Sequence, residues 1–201
     1  MTVKNPRPQQ KPEDHPRGLL GREIKVSGTS SPKKVAGALA HIARERESVS
    51  ILALSPPCLN TAVKGMAIAR DYIEEDKVDA GFTIKFRKGG DPKKPKPMDI
   101  NFVVFDERFE DPFGDQVIYN VKADTKSAGL AGALAARLRE EGEKVHVLAC
   151  VGAGCVSRAL VALALLDDYV ADTKLFFVPF FSKENKGETE ISVVNIAIIK
   201  G

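Results

Sequence analysis

The 201-residue sequence predicts an α/β protein made of two tandem two-layer modules, each a small sheet carrying two helices. Three observations lead there. The chain repeats itself: Val26 to Ala40 aligns with Val121 to Ala135 at an offset of 95, with six identities in fifteen positions, and Cys58 to Ile73 aligns with Cys155 to Val170 at an offset of 97. Short β-branched runs alternate with segments of helical period in both halves. Each half then ends in two strand-like segments, so both copies read β-α-β-α-β-β.

The elements follow in order. Glu23 to Ser27 is a short strand, and Ser31-Pro32 opens a helix, with serine at the N-cap and proline in the first turn, where its missing N–H costs nothing. Val35, Leu39 and Ile42 give that helix one apolar face, and Val49 to Leu54 is a buried strand. The next helix, from about Leu59 to Ile73, presents Leu59, Val63, Met66 and Tyr72 or Ile73, with Ala62, Gly65, Ala67 and Ala69 permitting close packing. Asp79 to Arg87 and Met98 to Phe105 alternate as two strands around a Gly/Pro/Lys-rich loop. The second copy matches with Val117 to Ala123, Ala128 to Glu141, Val145 to Cys150, Cys155 to Val170, Lys174 to Phe181 and Glu190 to Ile199. A strand-helix-strand connection of this length is a right-handed crossover, so the first two strands of each copy are expected to be parallel neighbours with both helices on one face. The chain divides into a Pro- and Gln-rich tail (1–22) expected to be unstructured, a first module (23–105), an acidic linker (106–116) and a second module (117–201).

Composition excludes several classes of function. The length lets roughly 70% of the unfolded surface be buried, so no staple is needed. With 43% hydrophobic and 28% charged residues the chain is ordinary for a globular protein, and no apolar run approaches the ~20 residues of a membrane helix. The first 22 residues hold no apolar stretch of a secretory signal, which gives a cytoplasmic expectation. Cys58, Cys150 and Cys155 have no metal-ligand or disulfide spacing and read as small core residues. His15, His41 and His146 form no set with a nucleophile and an orienting group, so neither an enzyme nor a cofactor is expected.

Charge is uneven. Residues 1–105 carry 19 Lys+Arg against 12 Asp+Glu (+7), and residues 106–201 carry 11 against 15 (−4), which together give the net +3. The sharpest local feature is Lys85 to Lys96 (KFRKGGDPKKPK), with six cations and one Asp between two strands. A basic arm of this kind suits phosphate neutralisation or minor-groove insertion; the plain alternative is a solvated turn. Lys33 and Lys34 occupy a helix's first turn, where the macrodipole disfavours cations, so they make better sense facing an external anion than as helix stabilisers. Lys25, Lys33, Lys34 and Lys64 are expected near one another, because the first strand's end and both helix N-termini open toward the same sheet edge.

The run Ile24-Lys25-Val26-Ser27-Gly28-Thr29-Ser30-Ser31-Pro32, then Val35-Ala36-Gly37-Ala38-Leu39, Leu59-Asn60-x-Ala62-Val63-Lys64 and Ile68-Ala69-Arg70, resembles the stage V sporulation protein S family of bacteria over most of Glu23 to Phe105. The second copy resembles it more weakly. It keeps Lys122, Ala131-Gly132-Ala133-Leu134 and the turn Val151-Gly152-Ala153-Gly154, but has Ser157 and Val161 where the first has Asn60 and Lys64. That family is similar in element order to the Alba superfamily of dimeric nucleic-acid binders. The resemblance implies Alba-like modules, a role in control of sporulation and septation, and contact of the hairpin arm with DNA or RNA. It also implies an intramolecular pseudo-dimer, with a higher homo-oligomer open to it.

The candidate nucleic-acid contacts are therefore Lys25, Lys33, Lys34, Asn60, Lys64, Arg87, Lys88, Lys93, Lys94 and Lys96. Stacking platforms are scarce, since only Phe82, Phe86 and Phe102 lie near the arm, which favours duplex or structured RNA over single strands. A second reading is an assembly module without nucleic acid, the acidic copy of one chain docking on the basic copy of another. A third, nucleotide binding at Gly152 and Gly154 with Arg158, Asp167 and Asp168 as the titratable groups, rests on a weak G-x-G-x-x-S pattern lacking the rest of a dinucleotide fold.

Overall fold

The structure, a computed structural model, describes residues 23–87, 97–109, 115–140, 144–187 and 189–201. The expected unstructured tail over 1–22 and the arm residues Lys88, Lys93, Lys94 and Lys96 lie outside the described residues. In the first module β1 (Glu23–Lys25) leads through α1 (Pro32–Arg44), β2 (Val49–Leu52) and α2 (Pro56–Tyr72) to β3 (Asp79–Phe86) and β4 (Met98–Phe105). The second runs β5 (Gln116–Val121), α3 (Ser127–Glu140), β6 (Val145–Cys150), α4 (Ala153–Tyr169), β7 (Leu175–Lys186) and β8 (Thr189–Lys200). Both copies keep the expected order.

Several boundaries differ from the sequence reading, each for a local reason. Helix α2 starts at Pro56 rather than near Leu59, because a helix's first turn needs no N–H donors and both prolines fit there. Ser31 is the N-cap residue of α1, but its side chain makes no capping hydrogen bond. Strand β2 ends at Leu52, leaving Leu54 75% exposed in the turn. At the end of α2 it is Ile73 that is fully buried and Tyr72 that faces solvent. The largest difference is at Ser182 to Thr189, which lies between the last two strand segments read from the sequence, Lys174 to Phe181 and Glu190 to Ile199. There β7 and β8 stay paired to Lys186↔Thr189, and Gly187, just past the end of β7, takes φ 66°, a conformation that favours glycine.

Among the described residues eight strands form one sheet, in the order β1-β2-β4-β3-β7-β8-β6-β5. The pairs β1–β2 and β5–β6 are parallel, as the crossover rule requires, and every other pair is antiparallel. The helices pack on one face over a core that runs through both modules, including Leu39, Met66 and Phe82 of the first and Leu134, Leu160 and Phe177 of the second. A smaller apolar cluster lies apart from it. It joins Val103 and Phe105 of β4, Phe176 and Val178 of β7, Val147 of β6 and Ala197 and Ile199 of β8 to Phe109 of the linker.

The modules meet where β3 lies beside β7, and the ladder there is thin, with one matched pair, Phe82↔Phe177. Pro179 in β7 has no N–H to give, and Gly81 leaves space that a Cβ would fill, 2.7 Å from the Phe177 carbonyl oxygen. Side chains supply what the backbone does not. The rings of Phe82 and Phe177 stand 5.5 Å apart, and Phe105 packs edge-on against Phe176 at 5.3 Å. Arg70, 1% exposed, holds the fully buried Asp79 through Nε–Oδ1 (2.6 Å) and Nη2–Oδ2 (2.8 Å), and donates from Nη1 to the Pro179 carbonyl oxygen at 3.1 Å. Asp79 in turn accepts the Ala80 amide at 2.7 Å and the Phe109 amide at 2.9 Å. One buried ion pair thus ties α2, β3, the linker and the neighbouring module.

Two outcomes follow for stability. Because a buried ion pair broken on one side leaves a bare charge in the interior, Arg70→Met and Asp79→Asn should each cost about 3–5 kcal/mol in denaturant unfolding. The double variant should cost well below the sum; additive losses would mean that the two groups do not act as a pair. At Gly65 a Cβ would meet Val35 Cγ1 at 2.6 Å and Val35 Cβ at 2.9 Å. Gly65→Ala should therefore destabilise by about 1–2 kcal/mol despite alanine's better helix propensity, and Val35→Ala in the same chain should recover part of that loss.

Candidate nucleic-acid interface

Strand direction decides which ends come together. In the first module β1, β2 and β3 run the same way, since β1–β2 is parallel and β4 is antiparallel to both β2 and β3. Their C-terminal ends therefore share one edge. Helix α1 starts after β1, α2 starts after β2, and the arm leaves from β3. Pairing continues straight across the sheet near that edge: Lys25 is registered with Leu52, Ile51 with Ile100, and Lys85 with Asp99.

Lys25, Lys33 and Lys34 are exposed there, while Asn60 and Lys64 are half-buried on the first half of α2. The loop between β1 and α1 is rich in hydroxyls: Ser30 Oγ accepts the Ser27 amide at 2.9 Å, and Ser27 Oγ lies 3.0 Å from Thr29 Oγ1. Neither α1 nor α2 has an acidic residue in its first turn or a capping side chain; Ser55 Oγ donates instead to Cys58 Sγ. Both N-termini keep uncompensated positive dipole ends. The Asn60 Oδ1 atom is buried with no hydrogen-bond partner among the described residues.

Arg87, at the root of the arm, is committed to its own molecule. Its Nε and Nη2 both contact Asp99 Oδ1 across the hairpin, at 2.9 and 2.7 Å, and the hydrogen bond with that carboxylate raises the guanidinium pKa further. Of the aromatic residues near the arm, Phe82 and Phe102 are fully buried and Phe86 is half-buried, so two of the three are closed to a base.

The second module's matching edge is on the opposite side of the sheet, because β7 runs antiparallel to β3. Its hairpin pairs Lys183 with Glu190 at 2.9 Å. Arg158 turns back to the Ala123 carbonyl oxygen at 3.3 Å, and Ser127 Oγ donates to the Arg158 carbonyl oxygen at 2.9 Å. Gly152, with φ 91°, precedes α4 in the strand-to-helix turn. Burial pushes the Cys150 thiol up to about 12, so the cysteine beside that turn stays protonated at neutral pH. His146 is buried with Nδ1 3.1 Å from the Tyr119 hydroxyl, and exposed His41 lies 3.5 Å from Glu45. Among the described residues no cluster of His, Cys, Asp or Glu fits a metal, and no helix is long and apolar enough to cross a membrane.

Asp167 and Asp168 stand at the far end of α4 from the glycine turn, as their place in the helix requires. Asp167 lies close enough to Lys85 of the first module to feel its charge, but burial and the charge of Asp168 prevail and raise its pKa above 3.8. A carboxyl whose folded pKa is raised favours the folded state when protonated, so its contribution is lost as the pH climbs past 3.8 toward the folded value. Asp167→Asn should remove that loss: its unfolding midpoint at pH 7 should rise slightly above the parent's, with the difference shrinking toward pH 3 in a series of thermal melts.

The family comparison agrees with the duplicated architecture. The model of the stage V sporulation protein S family matches twice, over residues 22–104 and 117–201, each match spanning the six elements of one β-α-β-α-β-β module but for one terminal residue, Phe105 of β4 and Gln116 of β5. Membership of that family supports a sporulation-related regulatory role. The chain belongs to the stage V sporulation protein S family, as a tandem pair of its modules.

Proposed function

We propose that this protein is a non-enzymatic regulator that binds duplex DNA or structured RNA without sequence preference, through the edge of its first module. One observation carries the reading. The topology gathers the exposed Lys25, Lys33 and Lys34, two helix N-termini without acidic neighbours, and the root of a segment with a local charge of +5 (Lys85 to Lys96) onto a single edge. Phosphate groups are attracted by both parts of such an edge, the amide dipoles and the lysines, and neither part distinguishes bases. The likeness in element order to the Alba superfamily points the same way. The second module's hairpin, with Lys183 neutralised by Glu190, makes the binding one-sided.

A second reading has its own support in the +7 and −4 halves of the chain, which suit a protein-assembly module as well as they suit nucleic acid. The two separate in a salt-series titration on duplex DNA. If about four phosphates are neutralised by the arm, log K should fall against log[salt] with a slope of about −3.6, and the variant with Lys88, Lys93, Lys94 and Lys96 changed to Gln should lose most of that slope. Equal affinity of parent and variant would put assembly first. Asp99→Asn frees Arg87 from its carboxylate partner, so it should tighten binding modestly at low salt and steepen the slope.

A further inference from the structure

Among the described residues β1 and β5 are the outer strands of the sheet, and they differ in how they are defended. β1 is three residues long and carries Glu23 and Lys25, the short charged form that discourages pairing. β5 is six residues long, Gln116 to Val121, without a charge or a proline. Its backbone orientation follows from its one inner partner. The Val145 amide donates to the Asp115 carbonyl oxygen at 3.1 Å, so Asp115, Val117, Tyr119 and Val121 turn their peptide groups toward β6. Gln116, Ile118 and Asn120 turn theirs outward. Ile118, in the middle of this row, is 58% exposed, among the few large apolar side chains left in water.

We infer that β5 is a self-pairing edge: two copies of the chain join antiparallel about a two-fold axis at Ile118, forming one sheet across both molecules. Three features of the strand select a second copy over another occupant. Antiparallel pairing centred on Ile118 sets every outward residue against an outward residue, Ile118 on Ile118 and Gln116 on Asn120 twice, so the six outward N–H and C=O groups all find partners. The facing side chains are matched, apolar on apolar and carboxamide on carboxamide. Exposed Asp115 ends the strand on one side and exposed Lys122 follows it on the other, so the two-fold brings the acidic end of each edge beside the basic end of its partner. A parallel arrangement would set like charges together. The alternative of β5 on β1 of the next chain offers only Glu23 and Lys25 as outward residues and does not close, leading to open chains.

The interface, one strand from each chain, is small and of the weak, reversible class, so a dissociation constant of roughly micromolar or weaker is expected. The pairing uses nothing of the basic edge, so it stands or falls apart from the nucleic-acid reading. In the dimer the basic edges of the two first modules lie at opposite ends and on opposite sides of the joined sheet. A dimer that binds nucleic acid would therefore bridge two segments.

The test is sedimentation of the full chain at physiological salt, free of nucleic acid, across a concentration series centred on micromolar. The expected result is a monomer–dimer equilibrium that stops at two chains. Ile118→Lys, which sets two ammonium groups face to face on an exposed site, should weaken the dimer about tenfold or more; Ile118→Glu should do the same; and an equimolar mixture of the two should restore a dimer. Circular dichroism spectra and melting points matching the parent's establish that both variants are folded. A monomer at every concentration, a dimer unaffected by Ile118→Lys, no recovery in the mixture, or growth past two chains would each overturn the two-fold pairing.

Discussion

The whole molecule depends on joining two sheets along a strand pair that is almost without backbone ladder. Where β3 meets β7, Gly81 and Pro179 remove the usual means, a side-chain stack and an N–H donor, and only Phe82 and Phe177 are matched. The Arg70–Asp79 pair replaces them. Its guanidinium spans from its own module's carboxylate to the other module's Pro179 carbonyl oxygen, and the carboxylate also takes the Phe109 amide of the linker. Aromatic contacts hold both sides of the seam, Phe82 with Phe177 in the main core and Phe105 with Phe176 in the smaller cluster. A buried charge pair contributes little net stability, yet it is intolerant of any arrangement that separates its members. That intolerance suits a seam that must fix one relative placement of two related units.

Covalent fusion permits what two identical chains could not do: the related positions have diverged. Arg70 corresponds at the repeat offset of 97 to Asp167, and the two carry opposite charge. Arg70 reaches into the second module through Pro179, while Asp167 lies in the field of Lys85 in the first. The hairpins have diverged as well. In the second module Gly187 and the Lys183–Glu190 pair close a regular hairpin, whereas the first inserts a longer basic segment between β3 and β4. The outcome is a scaffold with approximate internal symmetry in its core and diverged charge at its edges.

The candidate site was legible to the extent that it depends on strand direction. Lys33 and Lys34 stood out because cations in a first helical turn oppose the dipole, and the crossover rule already brought β1, β2 and both helix starts to one edge. Arg87 was less legible. Its Asp99 partner lies twelve residues away, and only the register Lys85↔Asp99, Phe86↔Met98 brings them together across the hairpin. Phe82 and Phe102 likewise looked available for stacking until pairing put both inside the core.

By itself the sequence determined the repeat, the order of the elements and the helix faces, because these follow from local periodicity, capping chemistry and residue type. Tertiary structure alone decided that the modules share a single eight-stranded sheet, that Arg70 and Asp79 are buried partners at its centre, and that β5 is left outermost with Ile118 in water. Those facts arise from which strands become neighbours. Neighbours are selected by the burial of apolar surface over the whole chain, a sum that no single window of residues contains.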